Sequence, residues 1–262
     1  MSVDLLLVLG CALLGLLIGS FLNVVVWRVP RGESVVSPPS ACPGCGNAIR
    51  PRDNVPVLGW LLLRGKCRDC GEPISLRYPL VEAGTAGLFV VMALRFGVDA
   101  VLPAYLYLAA VGLALGLIDI DVKRLPDALT LPSYGVAGAL LTLAAVTQAQ
   151  WHDLLRAGLG AVVVFAVYFA LWFAYPAGMG FGDVKLSGVL GAYLGWVSWS
   201  AVAVGLFAGF LYGGVFGIGV VLFAKGGRKT KVPFGPFMLL GALTGILVGP
   251  ELADAYLSVT VG

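Results

Sequence analysis

Long apolar runs broken by short polar joints make up most of this chain. Such runs lie at 3–27 and near 80–97, 101–118, 128–147, 154–175, 186–198, 200–224 and 233–250. Most approach the roughly 20 residues that an α-helix needs to cross a bilayer. The pattern predicts about eight transmembrane helices, of which the sixth, LSGVLGAYLGWVSW, is short for a full crossing. One long polar segment interrupts the series directly after the first run. Three regions follow: a first transmembrane helix over 1–27, a polar loop over 28–79, and a seven-helix membrane domain over 80–262. The expected fold class is an all-α polytopic membrane protein.

Composition agrees. Of the 262 residues, 59% are hydrophobic and 12% charged, with a mean hydropathy of +0.95. A soluble domain carries about 25% charged residues, so this chain lacks the polar surface to face water all round. The first run has no basic residue before it, and Arg28 and Arg31 follow it, the reverse of a cleaved signal. LVLGC around Cys11 loosely resembles a lipoprotein cleavage site, but without a basic leader the run reads as a retained span.

Threading eight spans places every Lys and Arg except Arg95 and Arg156 on one side, including the KGGRKTK stretch at 225–231. Positive charge stays inside, so the polar loop is expected in the cytoplasm and both termini outside. The net charge of +3 then follows from topology and calls for no nucleic-acid partner. The partner implied by composition is the lipid bilayer.

The loop holds CPGC at 42–45 and CRDC at 67–70. Two C-x2-C pairs suit one tetrahedral zinc, with Cys42, Cys45, Cys67 and Cys70 as ligands. Two disulfides are the competing reading, disfavoured because cytoplasmic thiols stay reduced. Four cysteines leave no open coordination position, so the expected Zn2+ is structural, folding a loop too polar to hold itself together. Cys11, within the first span, reads as a packing residue.

Acidic residues cluster at two joints on the same expected face. GLIDIDVKRLPDALTLP (116–132) carries Asp119, Asp121 and Asp127, and GMGFGDVK (178–185) carries Asp183 and Lys185. Carboxylates at such depth are costly and are usually kept for function. Plainer readings stand beside this one: Asp127 and Asp183 as helix caps, Asp119 and Asp121 as interfacial charges paired with Lys123 and Arg124. The single histidine, His152, is expected on the outer face, which excludes a Ser–His or Cys–His pair at the acidic joints. There is no HExxH, phosphate loop or dinucleotide fingerprint. Two close carboxylates sharing a proton would act as acid and base toward water without a metal or nucleophile. The glycines of GFGD would let an extended peptide lie against the turn beside Asp183.

These residues resemble the type IV prepilin leader peptidase/N-methyltransferase family, the GxGD class of membrane aspartic proteases. Gly180-Phe181-Gly182-Asp183 matches the GxGD motif, and D-x6-P-[DN] fits Asp119, Pro126 and Asp127. The resemblance implies Asp119 and Asp183 as catalytic, Asp119 being favoured over Asp121 by alignment to the proline, with Gly180, Gly182, Lys185 and Asp121 in support. GSFLNVVVWRVP (19–30), the cysteine pairs, DNVPVLGWLLLRGKC (53–67) and ISLRYPLVEAGTA (74–86) resemble the amino-terminal region of bifunctional members, and VPFGPFMLLGAL (232–243) is also family-like. The likeness covers about residues 15–245. It implies a prepilin or pseudopilin substrate with a short basic leader, cut after a glycine at the cytoplasmic membrane face. It also implies methylation of the new amino terminus from S-adenosylmethionine. For that second reaction Asn23, Arg28 and Glu82 are the candidates, with helix polar contacts and a juxtamembrane charge as their competing roles. A reading from another class is an ion-coupled transporter with intramembrane carboxylates and a regulatory zinc loop; it would favour inverted repeats, and no convincing internal repeat is evident.

Overall fold

The computed structural model describes residues 3–176, 178–223 and 233–260. The whole KGGRKTK stretch used to orient the spans, and Val232 of the late motif, lie outside these. Nine α-helices are formed among the described residues: α1 Val3–Arg28, α2 Leu58–Leu62, α3 Arg77–Phe96, α4 Leu102–Val122, α5 Asp127–Gln148, α6 Trp151–Ala174, α7 Phe181–Val197, α8 Trp199–Phe223 and α9 Gly235–Thr260. Seven of them, all but α2 and α7, are long and apolar enough to cross a membrane. The chain divides into two compact units, Met1–Ala114 and Leu115–Gly262. This boundary cuts α4 and differs from the expected division at residue 80.

Within hydrocarbon, helices gain nothing from hiding apolar side chains from one another, so close backbone approach and dispersion must hold them together. The sequence provides for this with small residues four apart. In the first unit Gly15 and Gly19 of α1 lie against α3: a methyl group built on Gly15 would stand 2.6 Å from the Cα of Ala86, and one on Gly19 2.7 Å from that of Glu82. In the second unit Gly191 and Gly195 of α7 meet α6 at Gly160, and Gly241 and Gly245 of α9 meet Gly205 and Gly209 of α8. The result is three tight helix pairs.

The sixth apolar run, the shortest of the eight, turns out to be the core of the second unit. Helix α7 starts at Phe181, five residues before the expected start, and twelve of its 17 residues are buried. It packs against α5, α6, α8 and α9. A helix apolar on every side belongs inside protein, and one surrounded by other helices need not match the bilayer in length. Its carboxyl end is fixed by Arg156 of α6, whose guanidinium donates to the carbonyls of Gly195 (2.6 Å), Trp196 and Val197 (3.0 Å) and pairs with Asp153 at 2.9 Å. Those carbonyls have no partner within the helix, and a cation there also suits the helix dipole. At the other end of the chain, α9 runs on through Pro250 to Thr260, ten residues past the expected limit.

A leucine at Gly191 would drive a side chain into Gly160 O, 2.4 Å from the position of its first carbon, whereas Gly138 has open space around it. Gly191→Leu is expected to destabilise the second unit by about 1–3 kcal/mol, the usual cost of overpacking. Gly138→Leu should be near neutral. Thermal unfolding of both variants in detergent checks the difference.

Candidate functional site

Both aspartates singled out by the acidic joints are buried, and both are met by the start of a helix. Asp119 occupies the last turn of α4 and is 5% exposed. Its Oδ2 accepts the N–H of Gly235, the first residue of α9, at 3.0 Å. Asp183 lies in the first turn of α7 and is 7% exposed. Its Oδ2 accepts the N–H of Gly180, the residue that precedes α7, at 3.1 Å. The first N–H groups of a helix have no partner within it, and they sit at the positive end of the helix dipole. A carboxylate placed there gains a donor and a favourable field together. Asp183 is therefore not the N-cap residue. It lies three positions on and reaches back to the cap, as the acid of a capping box does. Asp127 is not the cap of α5 either, because Pro126 takes that place.

Glycine at these turns makes room for the carboxylates and for the chain's own packing. A methyl on Gly235 would stand 2.8 Å from Asp119 Oδ2, and one on Gly180 3.3 Å from Asp183 Oδ2. On Gly182 it would lie 3.1 Å from the Cβ of Leu125, whose Cδ2 in turn faces Gly235. Leu125, buried in the short α4–α5 connection, thus stands between the GFGD turn and the start of α9. The expected opening for a peptide against Gly182 is filled by this leucine, because an apolar side chain gains more by packing there than by facing water. Leu125 thus touches both the turn that carries Asp183 and the helix start that holds Asp119, which places the two acids in one cluster. Asp121, two residues beyond Asp119, is exposed.

Lys185 stays near the site through a different contact. Its Nζ donates to both carboxylate oxygens of Asp127 at 2.8 Å, and its carbonyl accepts the hydroxyl of Tyr134 at 2.6 Å. The start of α5 thereby grips the first turn of α7. Behind the aspartates, Tyr168 of α6 stacks on Phe210 at 5.3 Å and leans toward Phe234 at 6.3 Å. Together with Ser187 and Met238 it lines a small, partly open pocket. Gly235, Leu125, Tyr134 and Tyr168 were not expected at the site. The Gly-Pro at 235–236 is a helix-start signal in its own right, but nothing in the order of residues says which carboxylate that start would face.

In the first unit the four expected cysteines come together. Their sulfurs all lie within 4.8 Å of one another, with Cys42 and Cys70 at 3.7 Å. A tetrahedron of sulfurs about a zinc ion has edges of about 3.8 Å, so the donor set fits a metal ion. The two knuckles are built alike. Cys42 N–H donates to Asn47 O and Cys67 N–H to Glu72 O, while Gly46 and Gly71 close each turn with positive φ of 73° and 75°. Both glycines are needed there, since a left-handed backbone is costly for other residues. All four cysteines are free, which rules out the disulfide reading for this structure. Backbone N–H groups of Cys70 and Asp69 draw the Cys67 thiol down to about 7. Arg68 grips Asp53 at 2.6 and 2.8 Å and holds its carboxyl below the usual carboxylate range.

Asn23, Arg28 and Glu82 also lie in this unit, each engaged with backbone. Asn23 Nδ2 donates to the carbonyls of Gly19 and Tyr78, and Arg28 donates to those of Ser34 and Pro38. Glu82, buried in α3, accepts the N–H of Val57 at 2.7 Å. Their contacts hold the loop against α1 and α3.

Two family models match the chain. One, the Bacterial Peptidase A24 N-terminal domain, covers residues 13–96, and the other, the Type IV leader peptidase family, covers residues 106–218. The chain is 37% identical over 275 residues to a "Prepilin leader peptidase/N-methyltransferase" of Aeromonas hydrophila, spanning 94% of this chain and 92% of the relative. It is 37% identical over 269 residues to a Pseudomonas putida protein of the same description, spanning 91% and 90%. A "Type 4 prepilin-like proteins leader peptide-processing enzyme" of Escherichia coli is 37% identical over 257 residues, spanning 88% and 90%. No solved structure is significantly similar to the chain. The transporter reading finds no support among these relatives. With its buried aspartates, its four-cysteine loop and likeness along nearly its whole length, the chain belongs to the prepilin leader peptidase/N-methyltransferase family of multi-pass membrane enzymes.

Proposed function

We propose that this chain removes the short basic leader of type IV prepilins or type II secretion pseudopilins, with Asp119 and Asp183 as the catalytic pair. The observation that carries the proposal is the burial of both carboxylates, at the end of α4 and the start of α7, with Leu125 touching the two turns that hold them. One aspartic acid keeps its proton and polarises the scissile carbonyl. The other, ionised, takes a proton from water as it attacks. The peptide nitrogen leaves with a proton, and the pair returns to its starting state. Such a pair titrates as a unit, so neither role belongs permanently to one residue. The N–H groups of Gly235 and Gly180 hold the two side chains in place. Lys185, tied to Asp127, steadies the first turn of α7, and Gly180 and Gly182 leave room for the Asp183 carboxylate and for Leu125. Asp121, exposed beside the site, adds negative charge that would attract a basic leader.

The distribution of Lys and Arg supports a cytoplasmic loop and active site with both termini outside, in a bacterial inner membrane. Cleavage would then fall after a glycine, where the substrate's own apolar helix leaves the bilayer. The four cysteines would hold a structural Zn2+. Methylation of the new amino terminus would use S-adenosylmethionine, a cation at sulfur and at its amino group. The buried Glu82 carboxylate suits such a cation, while Asn23 and Arg28 keep the surrounding loop in register through their backbone contacts.

With a synthetic prepilin, Asp119→Asn and Asp183→Asn should each lower leader removal by about 10²–10⁴-fold, the usual worth of a general acid or base. Asp121→Asn should retain most activity. Mass measurement of the product checks all three, and normal cleavage by Asp183→Asn would refute the pair. Metal content should be unchanged in these variants.

Metal binding should weaken as pH falls. A thiolate binds metal and a thiol does not, so protons compete with the metal for all four sulfurs as pH falls. Zinc per chain, measured after equilibration with a chelator at pH 8 and at pH 5.5, should be near one and well below one respectively. Absence of zinc at pH 8 would argue against the four-cysteine site.

A further inference from the structure

The short helix α2 has a use that neither reaction requires. Its five residues, LGWLL, make barely more than one turn, yet they are sharply divided. Gly59 and Trp60 face the loop: Gly59 lies against the Asp53 carbonyl, and Trp60 packs on Gly65 and donates its Nε1–H to Ile74 O at 3.0 Å. Leu58, Leu61 and Leu62, at helical spacing i, i+3, i+4, form one outward stripe with exposures of 57%, 55% and 79%. Val55, just before the helix, is exposed as well. Arg52 precedes this patch, and Arg64 and Lys66 follow it, all exposed.

The level of this stripe is set by α3. Glu82 is the sixth residue of α3, about 7–8 Å along a helix whose length matches the hydrocarbon thickness. Side chains on a helix lean toward its amino end, so the Glu82 carboxylate meets Val57 N–H near the first turns of α3. Val57 is held at φ 59°, a costly conformation for a β-branched residue, which persists only where surroundings impose it. The start of α2 is thus pinned, at the depth where a membrane-spanning helix passes from headgroups to acyl chains.

We infer that α2 is a membrane-interface anchor, with Leu58, Leu61 and Leu62 inserted at the headgroup–acyl boundary and Arg64 and Lys66 on anionic lipid headgroups. Apolar side chains on one face beside cations are what an interfacial helix presents to a bilayer. Each Leu moved out of water contributes to holding the loop flat on the membrane. The four-cysteine cluster, whose second pair begins five residues after Leu62, is then kept at the membrane surface and does not project into the cytoplasm. The inference needs only that α1 and α3 cross the bilayer, and it is independent of the peptidase reading.

The test uses the full-length, metal-loaded protein in vesicles of phosphatidylcholine and phosphatidylglycerol. A nitroxide amino acid is incorporated at position 62 or at position 36, where Val36 is also strongly exposed in the same loop. Paramagnetic relaxation by oxygen, which concentrates in lipid, is compared with relaxation by a water-soluble nickel chelate. The oxygen-to-nickel ratio at position 62 is expected to be several-fold that at position 36. It should fall when phosphatidylglycerol is omitted, and an unchanged ratio would overturn the preference for anionic lipid. Equal ratios at the two positions would overturn the anchor. So would protection of position 62 that arises only on adding a prepilin or on raising protein density, which would assign the stripe to substrate or to a second copy. Zinc content of each labelled protein confirms that the loop has folded.

Discussion

A carboxylate away from water needs a donor, and two unpaired helix starts supply one each. Where α7 and α9 begin, N–H groups without partners in their own helices point at Asp183 and Asp119. Neither group would be tolerable alone at such burial, since an unsatisfied buried N–H and an unsatisfied buried carboxylate are both costly. Set against each other they offset that cost, and among the described residues no charged side chain bonds to either acid. The glycines at 180 and 235 follow from this, because a methyl at either position would crowd the carboxylate oxygen.

Packing serves the same end. Helix α7 is held at its first turn by Asp127 and Tyr134, along its length by glycine contacts with α6, and at its last carbonyls by Arg156. A helix fixed at both ends cannot slide, so the depth of Asp183 is set by contacts well away from it. Leu125 then separates the GFGD turn from the start of α9, acting as a spacer between the two aspartate-bearing segments. The loop of the first unit is organised in an analogous way: two knuckles gather four thiols, while Glu82, Asn23 and Arg28 tie the flanking backbone down.

Much of this was legible beforehand, and the reasons differ by feature. The spans were readable because bilayer thickness imposes a length on any apolar helix that crosses it. The cysteine cluster was readable because C-x2-C spacing is a local property of a knuckle that can be recognised without knowing the rest of the fold. Asp119 and Asp183 were readable as candidates because acids at membrane boundaries are rare and the motifs around them specific. The start of α7 was misplaced because Gly180 and Gly182 look like loop residues, whereas one is the cap and the other lies inside the helix. Asp127 was misread as a cap because the helix starts one residue earlier than its acid suggests, with Pro126 in the cap position and Lys185 on the Asp127 carboxylate.

From its residues alone, then, this chain determined that it lies in a membrane, where its long apolar helices fall and which thiols gather. Those are consequences of composition and short-range spacing. Only the folded chain decided that the weakest apolar run is the buried centre of its unit, that Leu125 fills the space beside Gly182, and that Gly235, more than a hundred positions along the chain, completes the surroundings of Asp119. Such contacts join distant segments through the packing of several helices at once, and no local pattern of residues encodes which helix start will meet which carboxylate.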